Sequence, residues 1–110
     1  MHVELLYWDG DPDYMAARQN LVEVLTEDAF ETPIQMISVN SEADAELLAF
    51  PGSPTIRIDG RDILDEPSAT SGLRLRSYPL DGGGEARVPG KELIRRAVEA
   101  ARGWGHGRPR

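Results

Sequence analysis

The chain has 110 residues, 40% of them hydrophobic and 28% charged, with a formal net charge of -7; that bounds it to one globular domain able to bury a core without disulfides or metal. The negative balance argues against nucleic acid and anionic membranes as partners, because both select basic surfaces. With no cysteine in the chain, disulfides, thiolate catalysis and thiolate metal sites are excluded.

Val3 to Trp8 reads as the first strand, since Leu5, Leu6, Tyr7 and Trp8 are continuously apolar, as expected of a central strand covered on both faces. Asp9-Gly10 ends it with a turn signal. Asp11-Pro12 then opens a helix: aspartate suits the N-cap, and proline suits the first helical position, where no N–H is needed. Tyr14, Met15, Arg18, Leu21, Val22 and Leu25 recur at helical spacing, and the helix is expected to end near Phe30, before Pro33. Ile34 to Val39 is the second strand. Ser41-Glu42-Ala43-Asp44 opens a short helix with a capping-box pattern, carrying Leu47 and Leu48 and stopping before Pro51-Gly52.

Thr55 to Asp59 is the third strand, with Ile56 and Ile58 on one face and Arg57 on the other. Asp59-Gly60 is a hairpin-type turn signal. Arg61 to Gly72 lacks periodicity and reads as a loop long enough to be functional. Leu73 to Tyr78 alternates Leu and Arg and reads as a half-buried fourth strand. Gly82-Gly83-Gly84 is a flexible break, and Leu93, Ile94, Ala97, Val98 and Ala101 mark a closing helix. The expected order is β-α-β-α-β-β-α: an α/β domain over 1–102, with a four-stranded mixed sheet and helices on both faces, followed by a flexible tail over 103–110.

The chemistry-bearing residues are sparse. His2 and His106 lie at opposite ends of the chain, and neither a zinc spacing nor a Ser-His-Asp set is visible. Asp9, Asp11 and Asp13 alternate, but an EF-hand begun at Asp9 needs Gly and Glu where Tyr14 and Asn20 stand. The further motifs of a haloacid-dehalogenase phosphatase are missing too, so neither a metal nor a cofactor is expected. The eleven arginines and Lys91 are scattered; Arg74 and Arg76 share one strand face and are expected to meet the acidic cluster at the surface. The first ten residues lack a basic segment followed by a long apolar run, and no stretch approaches the ~20 residues of a membrane helix. The expected location is the cytoplasm.

Two local patterns carry a resemblance. One is the strand-turn-helix Leu5-Leu6-Tyr7-Trp8-Asp9-Gly10-Asp11-Pro12-Asp13-Tyr14; the other is Gly52-Ser53-Pro54-Thr55 through Asp59-Gly60. Together they resemble the thioredoxin-like superfamily, in which a reactive cysteine begins the first helix and faces a cis-proline before the third strand. Over about residues 2–102 the chain is similar to small bacterial thioredoxin family and DF-family (seleno)proteins related to alkylmercury lyase. Their D-G-C-P and G-L-x-C-R-x-Y motifs correspond to Asp9-Gly10-Asp11-Pro12 and to Gly72 through Tyr78. Asp11 stands at the first thiol position and Leu75 at the second, so the family's redox activity does not carry over. The resemblance implies a cis bond at Ser53-Pro54 and a groove framed by Asp11, Pro12, Tyr14, Ser53 and Pro54. It also implies strand addition of an extended peptide to the Ser53 backbone. Trp8 is expected in the core or at the edge of that cleft.

Three functions are compatible with these residues. The first is a non-redox binding or scaffold domain for an extended peptide, a protein or a small molecule. The second is an enzyme of another class with Asp11 as general acid or base, helped by Tyr14 or Ser53. The third is an inactivated variant of a thiol oxidoreductase or alkylmercury-lyase-like protein.

Overall fold

The computed structural model describes residues 1–29, 31–66 and 69–105. Strand β1 (Val3–Tyr7) is followed by helix α1 (Tyr14–Glu27), strand β2 (Ile34–Ser38), helix α2 (Glu42–Leu47), strand β3 (Thr55–Ile58) and strand β4 (Arg61–Asp62). A small hairpin of β5 (Tyr78–Pro79) and β6 (Glu85–Ala86) precedes the closing helix α3 (Lys91–Gly105). The main sheet has the order β2-β1-β3-β4. β1 runs parallel to β2, with Val3 opposite Ile34, and antiparallel to β3, with Val3 opposite Ile58. The domain is mixed α/β, built on a four-stranded mixed sheet.

β1 is central, and its two faces feed two cores. Val3 and Leu5 join Ile56 and Ile58 under Leu21 and Val24 of α1 and Ile94 and Val98 of α3. Leu6 points the other way, to Val39, Ala45 of α2 and Phe50. This explains the unbroken apolar run of β1: a strand covered on both faces has no solvent side on which to alternate. Each fully buried Val, Leu or Ile contributes roughly 1.5–3 kcal/mol, so the sheet needs no covalent brace.

Several boundaries differ from expectation. The fourth strand of the sheet is β4, not Leu73 to Tyr78. Asp59 and Gly60 both take positive φ, 52° and 81°, the two-residue hairpin turn that folds the chain straight back onto β3. Arg61–Asp62 therefore takes the outer edge of β3, and Leu75 makes only an isolated parallel bridge to Ser53. At the start of α1, Asp13, not Asp11, occupies the cap position, and it makes no side-chain cap bond. The helix buries Ala17, Leu21, Val24 and Leu25, while Met15 is exposed; its last residue is Glu27, and Phe30 lies outside the described residues. α3 continues to Gly105, past the expected end at 102, and 106–110, including His106, lie outside the described residues.

α2 follows its sequence pattern closely. Ser41 caps it, its Oγ accepting the Asp44 N–H at 2.9 Å. It ends in a Schellman pair: the Phe50 N–H donates to Ala45 C=O at 2.8 Å and the Ala49 N–H to Glu46 C=O at 3.1 Å. Leu47 is 83% exposed, so only Leu48 of the two expected leucines packs against the second core.

Candidate functional site

The loop between β1 and α1 meets the start of β3 through side chains that leave nothing unpaired. Trp8 N–H donates to Ser53 Oγ at 3.0 Å. Ser53 Oγ in turn donates to Asp11 Oδ2 at 2.7 Å. Asp11 Oδ1 accepts the Asp13 N–H at 2.8 Å, and the Arg87 guanidinium lies 3.4 Å from the same oxygen. Asp11 is 1% exposed and Ser53 is wholly buried. A buried carboxylate is tolerated only when its lone pairs are filled. This requirement accounts for the displaced helix start: the Asp11 side chain folds back over the Asp13 N–H and across to Ser53 instead of capping the helix from outside. Gly10 permits the tight loop, because a Cβ there would overlap the indole of Trp8.

All five expected groove residues are at this junction, and they differ in exposure. Asp11, Ser53 and Pro54 are buried, with the Ser53-Pro54 bond cis. Pro12 is exposed, and Tyr14 is half-buried, its ring stacked on Tyr7 with centroids 4.3 Å apart. Trp8 is half-buried against the second core. The Ser53 backbone, expected to be free for a peptide, is already bonded: its N–H donates to Arg74 C=O at 2.8 Å, and its C=O accepts the Arg76 N–H at 2.9 Å. The expected strand-addition edge is thus filled by the chain's own segment.

Arg76 departs furthest from its expected place. It is 5% exposed rather than at the surface. Its guanidinium lies 2.8 Å from Asp62 Oδ2 and 2.8 Å from Glu66 Oε1. It also donates to Thr55 Oγ1 and Tyr78 Oη, both at 3.1 Å. Burial alone would lower its pKa, but the hydrogen bonds to Asp62 and Glu66 outweigh that and hold it above the ordinary value. Burial pushes the Tyr78 phenol up, against the opposing charge of Arg76. Tyr78 Oη donates to Pro54 C=O, tying the same loop from a third side. Arg74 stays at the surface, donating to Thr70 C=O and Ser71 C=O. The arginine that meets the acidic cluster is Arg87, whose guanidinium lies 3.4 Å from Asp11 and 3.8 Å from Asp13. No local pattern marks either pairing, since the partners are separated by 14 and 76 residues.

Two concavities lie away from this junction. One, of about 500 Å³, runs between β3–β4 and α3 and is lined by Ile58, Ile63, Ala97 and Ala101. The other, of about 360 Å³, lies beside the end of α2 and reaches Arg57, Asp62 and Glu66. Among the described residues no group of three His, Cys, Asp or Glu side chains converges as a metal site. Among them, too, no helix is long and apolar enough to cross a membrane. At the junction Asp11 is buried and both of its carboxylate oxygens have partners. Compared with family models, with curated proteins and with solved structures, the chain matches none.

Proposed function

We propose that the chain is a cytoplasmic thioredoxin-like domain acting as a non-redox binding or scaffold module, related to the small bacterial thioredoxin and alkylmercury-lyase-like proteins. The sheet order, with β1 parallel to β2 and antiparallel to β3, supports the assignment. So does the meeting of the α1 entry loop with the loop before β3. The single observation that carries the functional reading is the buried Asp11–Ser53 contact at 2.7 Å. It takes the position of a reactive group and turns it into a fastening between two loops, keeping the surface above them in shape without chemistry. The accessible part of that surface is Pro12, the outer face of Tyr14 and Leu75, which is 42% exposed and bridged to Ser53. An exposed apolar surface on a fixed backbone suits an extended peptide or a loop of a partner protein.

The test is selection of binders from a random dodecapeptide display library on the immobilised protein, followed by titration of the selected peptides against Pro12→Glu and Leu75→Glu. Both positions are exposed, so both variants keep the fold. At least one selected peptide is expected to lose tenfold or more in affinity in each variant. Unchanged affinity in both would put binding elsewhere and overturn the reading.

A further inference from the structure

The segment from Leu73 to Ser77 is fastened to the domain differently from an ordinary surface loop. Its bonds to Ser53 form one step of a parallel ladder, with Arg74 C=O and Arg76 N–H on either side of the same residue. That is the contact an extended peptide makes when it adds to a strand edge. Here the added strand belongs to the chain itself. Leu75 lies between the two bonded residues and is 42% exposed, and Arg74 and Ser77 are exposed as well. What holds the strap inward is the Arg76 side chain, received by Asp62 and Glu66. Leu64 N–H also donates to Asp62 Oδ1 at 3.0 Å, which helps to orient that carboxylate. The two carboxylates, 25% and 42% exposed, converge on one buried guanidinium and favour a cation there.

We propose that Arg74-Leu75-Arg76 is an internal ligand: the Ser53 backbone with Asp62 and Glu66 forms a site for an extended peptide bearing an apolar residue followed by arginine, and the chain occupies that site with its own segment. The proposal rests on the reading of this face as a binding surface and names what its inner edge recognises. Tethering gives the internal segment an effective concentration in the millimolar range. A free peptide with the same contacts at micromolar concentration therefore loses to it, and the site opens to a partner only when the arginine is withdrawn.

The experiment is fluorescence anisotropy of a labelled synthetic peptide copying Gly72–Tyr78, titrated with wild type and with Arg76→Ala. Saturable micromolar binding is expected to folded Arg76→Ala, at least tenfold weaker binding to wild type, and at least a tenfold loss when glutamine replaces the second arginine of the peptide. Equal binding to both proteins, no binding to folded Arg76→Ala, or indifference to the glutamine peptide would each overturn the proposal. Should Arg76→Ala not fold, Arg76→Lys read by native-state hydrogen exchange decides. The Ser53 amide is then expected to exchange at least tenfold faster than in wild type while Leu5 and Leu6 keep their rates. Ser53 exchanging only in step with Leu5 and Leu6 in both proteins would make the strap part of the core and overturn the proposal. The display selection at Pro12 and Leu75 does not involve the copied peptide, so either idea can fail without the other.

Discussion

Replacing Ser53 by alanine removes one oxygen and strands two groups. Trp8 N–H loses its acceptor, and Asp11 Oδ2 loses its donor in a position with 1% exposure. A buried polar group left unpaired costs about 1–3 kcal/mol, more when it is charged. The expected loss for Ser53→Ala is therefore about 3 kcal/mol, a large part of the 5–15 kcal/mol typical of a domain. Asp11→Ala should cost about as much, because it frees the Ser53 hydroxyl and the Asp13 N–H and leaves Arg87 without its buried partner. The double variant removes the donor and the acceptor of the 2.7 Å bond together, so the penalty for stranding each is not incurred twice. Urea denaturation of the four proteins, with m-values checked for constancy, should show the double variant less destabilised than the sum of the singles by at least about 1 kcal/mol. Additivity within about 0.5 kcal/mol would mean that the two side chains do not act as a unit, and the account of Asp11 as a fastening would fail.

Alkaline stability should be controlled by Tyr78. Burial raises its folded pKa above the unfolded value of about 10, so the unfolded chain releases its phenolic proton first. The contribution is complete below pH 10 and is lost as pH rises beyond it, by up to about 1.4 kcal/mol per pH unit. Chemical denaturation of Tyr78→Phe across pH 8–11 should lack that component of the slope; an unchanged slope refutes the assignment. Ala49 has φ 51° in the Schellman turn after α2, a conformation that costs a residue with a Cβ roughly 1–2 kcal/mol. Ala49→Gly should raise stability by about 1 kcal/mol in a thermal melt, and destabilisation would contradict the turn geometry. Leu47→Glu, at a position 83% exposed, should shift stability by no more than about 0.5 kcal/mol, whereas Phe50→Ala in the second core should cost about 3–5 kcal/mol.

Much of the fold was legible from local pattern because local chemistry dictates it. The apolar run of β1, the Ser41 cap, the alternation of Ile56 and Ile58 and the Asp59-Gly60 turn each act within a few residues. The turn is also where local pattern and tertiary structure part. Asp59-Gly60 is a hairpin signal, but the strand that follows it, Arg61–Asp62, is too short and too polar to show a period, whereas Leu73 to Tyr78 shows one. β4 lies along the outer edge of β3, and Leu75 bridges to Ser53; alternating leucines and arginines fit such a bridge as well as a sheet strand.

At the junction, residue identities announced that thiol chemistry is absent and that Asp11 follows a turn at the entrance to the first helix. Those conclusions need only the side-chain inventory and the neighbours in sequence. Whether Asp11 faces solvent as a cap or lies buried against Ser53 depends on what stands 42 residues away. Whether Arg76 is a surface charge or a buried latch depends on Asp62 and Glu66. Burial and hydrogen-bond partnership are properties of the assembled chain, because the cost of an unpaired polar group arises only once tertiary packing has excluded water from it.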